Sequence, residues 1–236
     1  MSSKKAIQRI LNKDMKELKT LDNTGIYISF DEENIMKAKA MIIGPTETPF
    51  ENGVLFFYIL FPNNYPYSPP LINYFSRSPY RIHPNLYVGK SHDNYLGKVC
   101  LSMLNTWSGP KWTSVMHISS VLLTLQSILT KYPIENEPGF ENTPIEKKEM
   151  FNNIVCYDTF RNLIFENMIH IPEEYLCFKE EIQLHYNHSK DKIISDLKEK
   201  HEKYKDRYRI NSGIYNYIIT IDYNNLKVKF DNLFKL

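Results

Sequence analysis

The chain has 236 residues, of which 42% are hydrophobic and 14% aromatic. That is enough for one domain with an extension, or for two small domains, each with a core. Its 29 basic and 27 acidic residues leave a net charge of +2, which argues against a nucleic-acid binder, since phosphate backbones call for a strongly basic face.

Three cysteines, Cys100, Cys156 and Cys177, are few, odd in number and without paired spacing. A disulfide framework is therefore not expected, and a reducing compartment, cytoplasmic or nuclear, is the natural home. The opening MSSKKAIQRILNKDM has no apolar h-region, so no signal peptide is expected. Without a run of about 18 apolar residues, no membrane span is expected either.

In chain order, residues 4–21 carry Ile7, Ile10, Leu11, Met15 and Leu18 at helical spacing, with Lys4, Lys5, Arg9, Lys13 and Lys16 on the polar sectors. Four strands are expected next: Ile26–Phe30, Ile35–Ile43, Val54–Phe61 and Leu71–Phe75. Turn residues such as Gly44-Pro45 and Asn52-Gly53 make the links short, which favours an antiparallel meander. Between the third and fourth strands, Pro62, Pro66, Pro69 and Pro70 remove backbone donors and predict a stiff loop.

Residues 76–113 read as mostly irregular, and a segment of that length without regular structure is usually functional. Val115, Ile118, Val121, Leu122, Leu125, Ile128 and Leu129 then predict a buried helix, with Thr113 or Ser114 as its cap. Thr143-Pro144-Ile145-Glu146 combines a capping box with proline at the first helical position and opens another helix. Helical patterns resume over 174–186 and 191–208. A last helix is plausible at Tyr223, Leu226, Phe230 and Leu233, while 214–221 fits helix or strand. One helix, four strands, an irregular segment and then helices indicate an α+β fold.

The stretch Tyr80–Trp112, YRIHPNLYVGKSHDNYLGKVCLSMLNTWSGPKW, concentrates the chemistry. A lone cysteine among polar groups is a candidate nucleophile, although a free cysteine is more often a small buried hydrophobe. A metal site from His83, His92, Cys100 and His117 has no familiar ligand spacing. Lys98-Val99-Cys100-Leu101 does not supply a papain-like cysteine motif.

The order of motifs resembles the ubiquitin-conjugating enzymes over roughly residues 4–165. The resemblance rests on the N-terminal helix, the meander, the loop Tyr65-Pro66-Tyr67-Ser68-Pro69-Pro70, His83-Pro84-Asn85, Gly97-Lys98-Val99-Cys100-Leu101, and Trp112 with the helix after it. It extends to the large Z-type enzymes and their relatives through Val99–Gly109, the Asn136–Glu141 turn and the tail from Tyr157-Asp158-Thr159-Phe160-Arg161 onward. The chain departs from the family in a longer interval between His83 and Cys100, with an insertion around Val88–Asn94. It also has Ile82 in place of an aromatic, and Thr113-Ser114-Val115 after Trp112.

The resemblance implies a conjugating core at 1–165, with N-terminal helix, four-stranded meander, active-site loop and C-terminal helices, and a mostly helical extension at 166–236. It implies that Cys100 carries ubiquitin as a thioester and passes it to substrate lysines, usually with a ligase. Asn85 is then the candidate oxyanion donor or loop brace, Asn136 or a neighbouring glutamate positions the incoming lysine, and His83 and Pro84 are structural. Lys4, Lys5 and Arg9 would face the ubiquitin-activating enzyme, and Tyr67 and Ser114 a ligase. No metal or cofactor is implied, since ATP is consumed by the activating enzyme upstream. Two alternatives are another ubiquitin-like modifier as cargo and a non-catalytic ubiquitin-binding variant of the fold.

Overall fold

A computed structural model describes residues 3–89 and 96–235. The chain packs as two compact units, Met1–Gly44 with Leu55–Leu129, and Pro45–Val54 with Thr130–Leu236.

In the first unit, α1 (Ser3–Arg9) runs through a π-helical turn (Ile10–Asp14) into the short α2 (Met15–Glu17) and a 3-10 turn at Leu18–Leu21. The sheet follows: β1 (Ile26–Phe30), β2 (Lys37–Ile43), β3 (Val54–Leu60), β4 (Leu71–Phe75) and β5 (Leu96–Lys98). The strands lie side by side in that order. Ile26 pairs with Ile42, Phe56 with Phe75, and Phe75 with Leu96, all antiparallel.

The meander therefore has five strands, not four. The fifth is three residues long with glycine at its centre, too short and too low in β-propensity to show a period. α3 (Ile118–Ser127) buries Ile118, Val121, Leu122 and Leu125, and the sheet buries Ala40, Ile42, Phe57, Ile59, Ile72 and Tyr74. Burying an aliphatic or aromatic side chain of this size stabilises the fold by about 1.5–3 kcal/mol.

The second unit holds α4 (Ile145–Asp158), which continues through a π-helical stretch (Thr159–Phe165) into α5 (Glu166–Ile169). The π geometry displaces backbone bonding, and the Leu163 carbonyl accepts from Tyr186 Oη at 2.7 Å and Asn167 Nδ2 at 3.0 Å. The single long helix α6 (Lys179–Lys203) replaces the two expected there. Residues 208–211, of which the first was expected to end a helix, form strand β6 (Tyr208–Asn211), which pairs with β7 (Ile218–Ile221). α7 (Tyr223–Phe234) begins at Asp222, whose carboxylate accepts from the Asn225 N–H at 2.8 Å. Tyr223 sits against Tyr157, with ring centroids 5.3 Å apart, and Phe230 against Phe165, at 5.2 Å. Among the described residues no helix is long and apolar enough to cross a membrane.

One buried carboxylate ties the first unit together. Asp14 is fully buried. It accepts from Arg9 Nε at 3.1 Å, Tyr65 Oη at 2.8 Å and the Ile118 N–H at 3.2 Å. The expected cap of α3 by Thr113 or Ser114 is absent. The helix starts later, after His117, which makes no side-chain cap, and Asp14 takes up a backbone donor of its first turn instead.

The π-helical turn explains the buried face of the N-terminal helix. Ala6, Ile10 and Asp14 point inward, while Leu11 and Met15, expected on the apolar face, are about half exposed. Asp14→Ala is expected to lower the unfolding free energy by about 3–5 kcal/mol, because it strands the buried Arg9 charge and two donors. Asp14→Asn, which keeps an acceptor oxygen, should recover part of the loss. Urea unfolding of the two variants measures both effects.

Candidate active site

The His-Pro-Asn turn is fastened by its histidine. His83 is fully buried, and its Nδ1 accepts the Asn85 N–H at 3.0 Å. That acceptor role puts the ring proton on Nε2, which donates to the Ile128 carbonyl at 2.9 Å. Burial pushes the imidazole down to about 4, opposed by the bond to Ile128 and reinforced by the Arg81 charge. His83 is thus a neutral staple between the turn and the end of α3, and both ring nitrogens already have partners.

Asn85 and Cys100 are joined twice. The Cys100 N–H donates to the Asn85 carbonyl at 2.9 Å, and Asn85 Nδ2 donates to the Cys100 carbonyl at 2.6 Å. Asn85 Oδ1 is buried with no hydrogen-bond partner among the described residues. Leu86 bridges Val99, and the Tyr87 N–H donates to the Lys98 carbonyl at 3.0 Å. The chain therefore leaves Asn85 and returns to Cys100 as a paired ribbon. The expected insertion at Val88–Asn94 begins on that ribbon, while 90–95, including His92, lie outside the described residues.

The ribbon depends on Gly97. A Cβ there would lie 1.6 Å from the Tyr87 carbonyl oxygen and 2.4 Å from its carbon. Beyond the cysteine, Thr106 Oγ1 accepts the Leu101 N–H at 2.9 Å and donates to the Val99 carbonyl at 3.0 Å. Trp112 closes this side of the unit, its indole N–H donating to the Pro66 carbonyl at 2.6 Å and its ring 5.9 Å from Tyr65.

Cys100 is only 3% exposed. Burial pushes its thiol up, while the charges of Lys98 and Arg81 and, least of the three, the Tyr87 side chain pull it down. A raised thiol is a poor nucleophile at neutral pH until its thiolate is stabilised. Chemically, the arrangement offers one sulfur on a rigid segment, flanked by cations, with an asparagine amide bracing the backbone beside it.

The other expected residues divide. Lys4, Lys5 and Ser114 are exposed, and Tyr67 is 62% exposed and not tucked into the core. Arg9 is engaged within the unit. Its side chain is only 10% exposed and bonds Asp14 and the Met116 carbonyl, the latter at 2.7 Å. Asn136 belongs to the second unit, on a 3-10 turn at Pro133–Asn136. Its neighbours are engaged within that unit, Glu135 with Lys148 and Glu137 with Tyr215 Oη, the latter at 2.8 Å. Among the described residues, no three His, Cys, Asp or Glu side chains gather as a metal cluster.

Sequence reasoning does not single out Asp14, Arg81 or Tyr87. Asp14 looks like one more polar residue on a basic helix.

The profile described as "Ubiquitin-conjugating enzyme" matches residues 10–155. The chain belongs to the ubiquitin-conjugating enzyme family. Ubiquitin-conjugating enzyme E2 Z of Danio rerio is 33% identical over 192 residues, which is 78% of this chain and 56% of that protein. The human E2 Z is 36% identical over 148 residues, 61% of this chain and 40% of its own length. Human BIRC6, a dual E2 ubiquitin-conjugating enzyme/E3 ubiquitin-protein ligase, is 35% identical over 75% of this chain and 4% of its own. A ubiquitin conjugating enzyme E2 domain of Toxoplasma gondii is similar over 65% of this chain and 98% of its own, at 24% identity and a TM-score of 0.49. The Z-type resemblance read from the motifs stands, and the chain spans about half the length of the E2 Z relatives it matches.

The motif geometry has testable consequences. Because the unfolded imidazole titrates near its ordinary value of about 6.5 and folded His83 near 4, the unfolded chain binds the proton first. The stabilisation is complete above about pH 6.5 and falls as the pH drops, by about 3 kcal/mol at pH 4. Urea unfolding across that range should fall less steeply for His83→Gln than for the unsubstituted chain. Gly97→Ala should cost about 3 kcal/mol, since backbone and not a flexible side chain blocks the new Cβ. Its thermal midpoint measures the loss.

Proposed function

We propose that Cys100 accepts ubiquitin from the ubiquitin-activating enzyme as a thioester and transfers it to lysines of substrate proteins, usually with a ubiquitin ligase. The observation that carries this reading is the double tie between Asn85 and Cys100, which holds the His-Pro-Asn turn against the cysteine despite the long interval between them. In the first step the Cys100 thiolate attacks the carbonyl carbon of the activated ubiquitin C-terminus, and the activating enzyme's thiolate leaves. In the second, a lysine amine attacks the new thioester, an oxyanion forms and collapses, and Cys100 is released as thiolate. The amine must lose a proton along the way.

Asn85 braces the loop. One of its two amide N–H groups is committed to the Cys100 carbonyl, which leaves the other for a developing oxyanion. Asn136 or a neighbouring glutamate is the proposed residue for orienting the incoming lysine. The exposed Lys4 and Lys5 fit the activating enzyme, and the exposed Tyr67 and Ser114 fit a ligase. No cofactor is needed on this chain, ATP being consumed upstream. A reducing compartment, cytoplasm or nucleus, suits a reactive thiol.

Incubation with activating enzyme, ATP and ubiquitin should yield an adduct of one ubiquitin mass that dithiothreitol removes. Cys100→Ser should abolish the reducible adduct, and Lys4→Glu with Lys5→Glu should slow loading several-fold by reversing the local charge. A reducible adduct that survives in Cys100→Ser would overturn the assignment. An adduct formed with a different modifier, and not with ubiquitin, would keep the chemistry and change the cargo.

A further inference from the structure

Two cavities of about 240 and 230 Å³ adjoin within the second unit, with Glu47, Pro49, Cys156 and Lys200 as a common wall. Together they form a groove between α4 and α6. Asp196, Lys200 and Lys203 stand at helical spacing and so share one side of α6. Charge changes sign along that side. In one arm of the groove, Glu47, Glu51, Asp196 and Glu199 face Lys200 alone, over a buried floor of Pro49, Phe160 and Ile164. In the other, Lys131, Lys200 and Lys203 outnumber Glu47 and Glu149.

Each arm also holds a polar atom that nothing in the chain meets. Thr159 lines the acidic arm and is only 2% exposed, and its Oγ1 has no hydrogen-bond partner among the described residues. Asn152 lines the basic arm. Its Nδ2 donates to the Lys131 carbonyl at 2.6 Å, while its Oδ1 is buried without a partner among the described residues. Buried polar groups are normally bonded, so an unmet atom in each of two adjoining cavities points to a ligand. The acidic rim already attracts one ammonium, since Lys192 Nζ donates to both carboxylate oxygens of Asp196 at 2.6 Å.

We propose that this groove binds an extended segment of a partner protein, with a lysine or arginine side chain in the acidic arm and an acidic side chain in the basic arm. The long aliphatic stem of a basic residue suits the floor of Pro49, Phe160 and Ile164, and its charged head suits the rim. Its N–H donors can meet both the carboxylates and the Thr159 hydroxyl. Asn152 and Thr159 are separated by about 10 Å of helix rise. Side chains three residues apart on a polyproline II segment share a side and lie about 9 Å apart, which matches that separation. Cys100 takes no part, so the proposal stands or falls separately from the function proposed above.

The test is a titration of the full chain with the peptide acetyl-Arg-Pro-Pro-Glu amide, followed by amide chemical shifts. The backbone amides of Cys156 and Thr159 and the side-chain amide of Asn152 should shift together and saturate. Glu199→Lys, at an exposed position, should weaken binding about tenfold by reversing a charge on the rim. Thr159→Val removes only the hydroxyl. It should weaken binding about fivefold without lowering the thermal midpoint, because an unmet hydroxyl supports nothing in the free chain.

No shift at these three residues overturns the proposal, as does full affinity in Thr159→Val. A lowered midpoint in that variant overturns the assignment of its hydroxyl to a ligand. If Glu199→Lys fails to fold, Thr159→Val decides. Acetyl-Gln-Pro-Pro-Glu amide should not bind, and equal binding would overturn the role of the basic side chain. Spermine carries the cations without the acidic end and should bind more weakly. If it matches the peptide, the occupant is a free polyamine and the proposal of a protein partner is overturned.

Discussion

Two hydrogen bonds between Asn85 and Cys100 hold the ends of the ribbon from Leu86 to Val99 together, and the organisation of the site depends on them. One runs from backbone to backbone and the other from side chain to backbone, so the cysteine is gripped through both its backbone donor and its backbone acceptor. Behind Asn85 stands His83, whose ring accepts the Asn85 N–H and donates to the end of α3. The turn is thereby connected to the helical side of the unit, and the cysteine to the turn. Neither connection uses a charge. That is sensible in a site where burial already works against ionisation.

The electrostatics of the site follow from that neutrality. A buried imidazole that stays unprotonated adds no net charge beside the thiol, so among the described residues what acts on the sulfur comes from Lys98, Arg81 and Tyr87. The buried carboxylate of Asp14 is held by Arg9 and by neutral donors at another corner of the unit, where it serves packing. A net charge near zero for the whole chain conceals this segregation of a cation-flanked sulfur from a compensated acid. Composition reports sums, whereas chemistry depends on neighbours.

Periodicity finds what is repetitive. β1 and β4 run over the expected residues because alternating or compact apolar runs between turn residues leave little choice. α3 is recognisable, but its start is not, since the group that meets its first turn lies about a hundred positions away in sequence. β5 and β6 escape notice because each is short and gains its identity only from a partner strand. Cys100, Asn85 and His83 are legible as a motif in fixed order. Arg81 is not, because its meaning lies in a stack over Tyr87 that no spacing rule encodes. The division into units is also hidden: Phe151, Ile154 and Val155 have a core pattern, and a pattern does not say which core.

Gly97 has a consequence for how such a loop can vary. With the carbonyl of Tyr87 seated where a side chain would begin, the two arms of the ribbon cannot be altered one residue at a time without separating them. A substitution on either arm is therefore felt at the reactive sulfur, because both arms end on the Asn85–Cys100 tie.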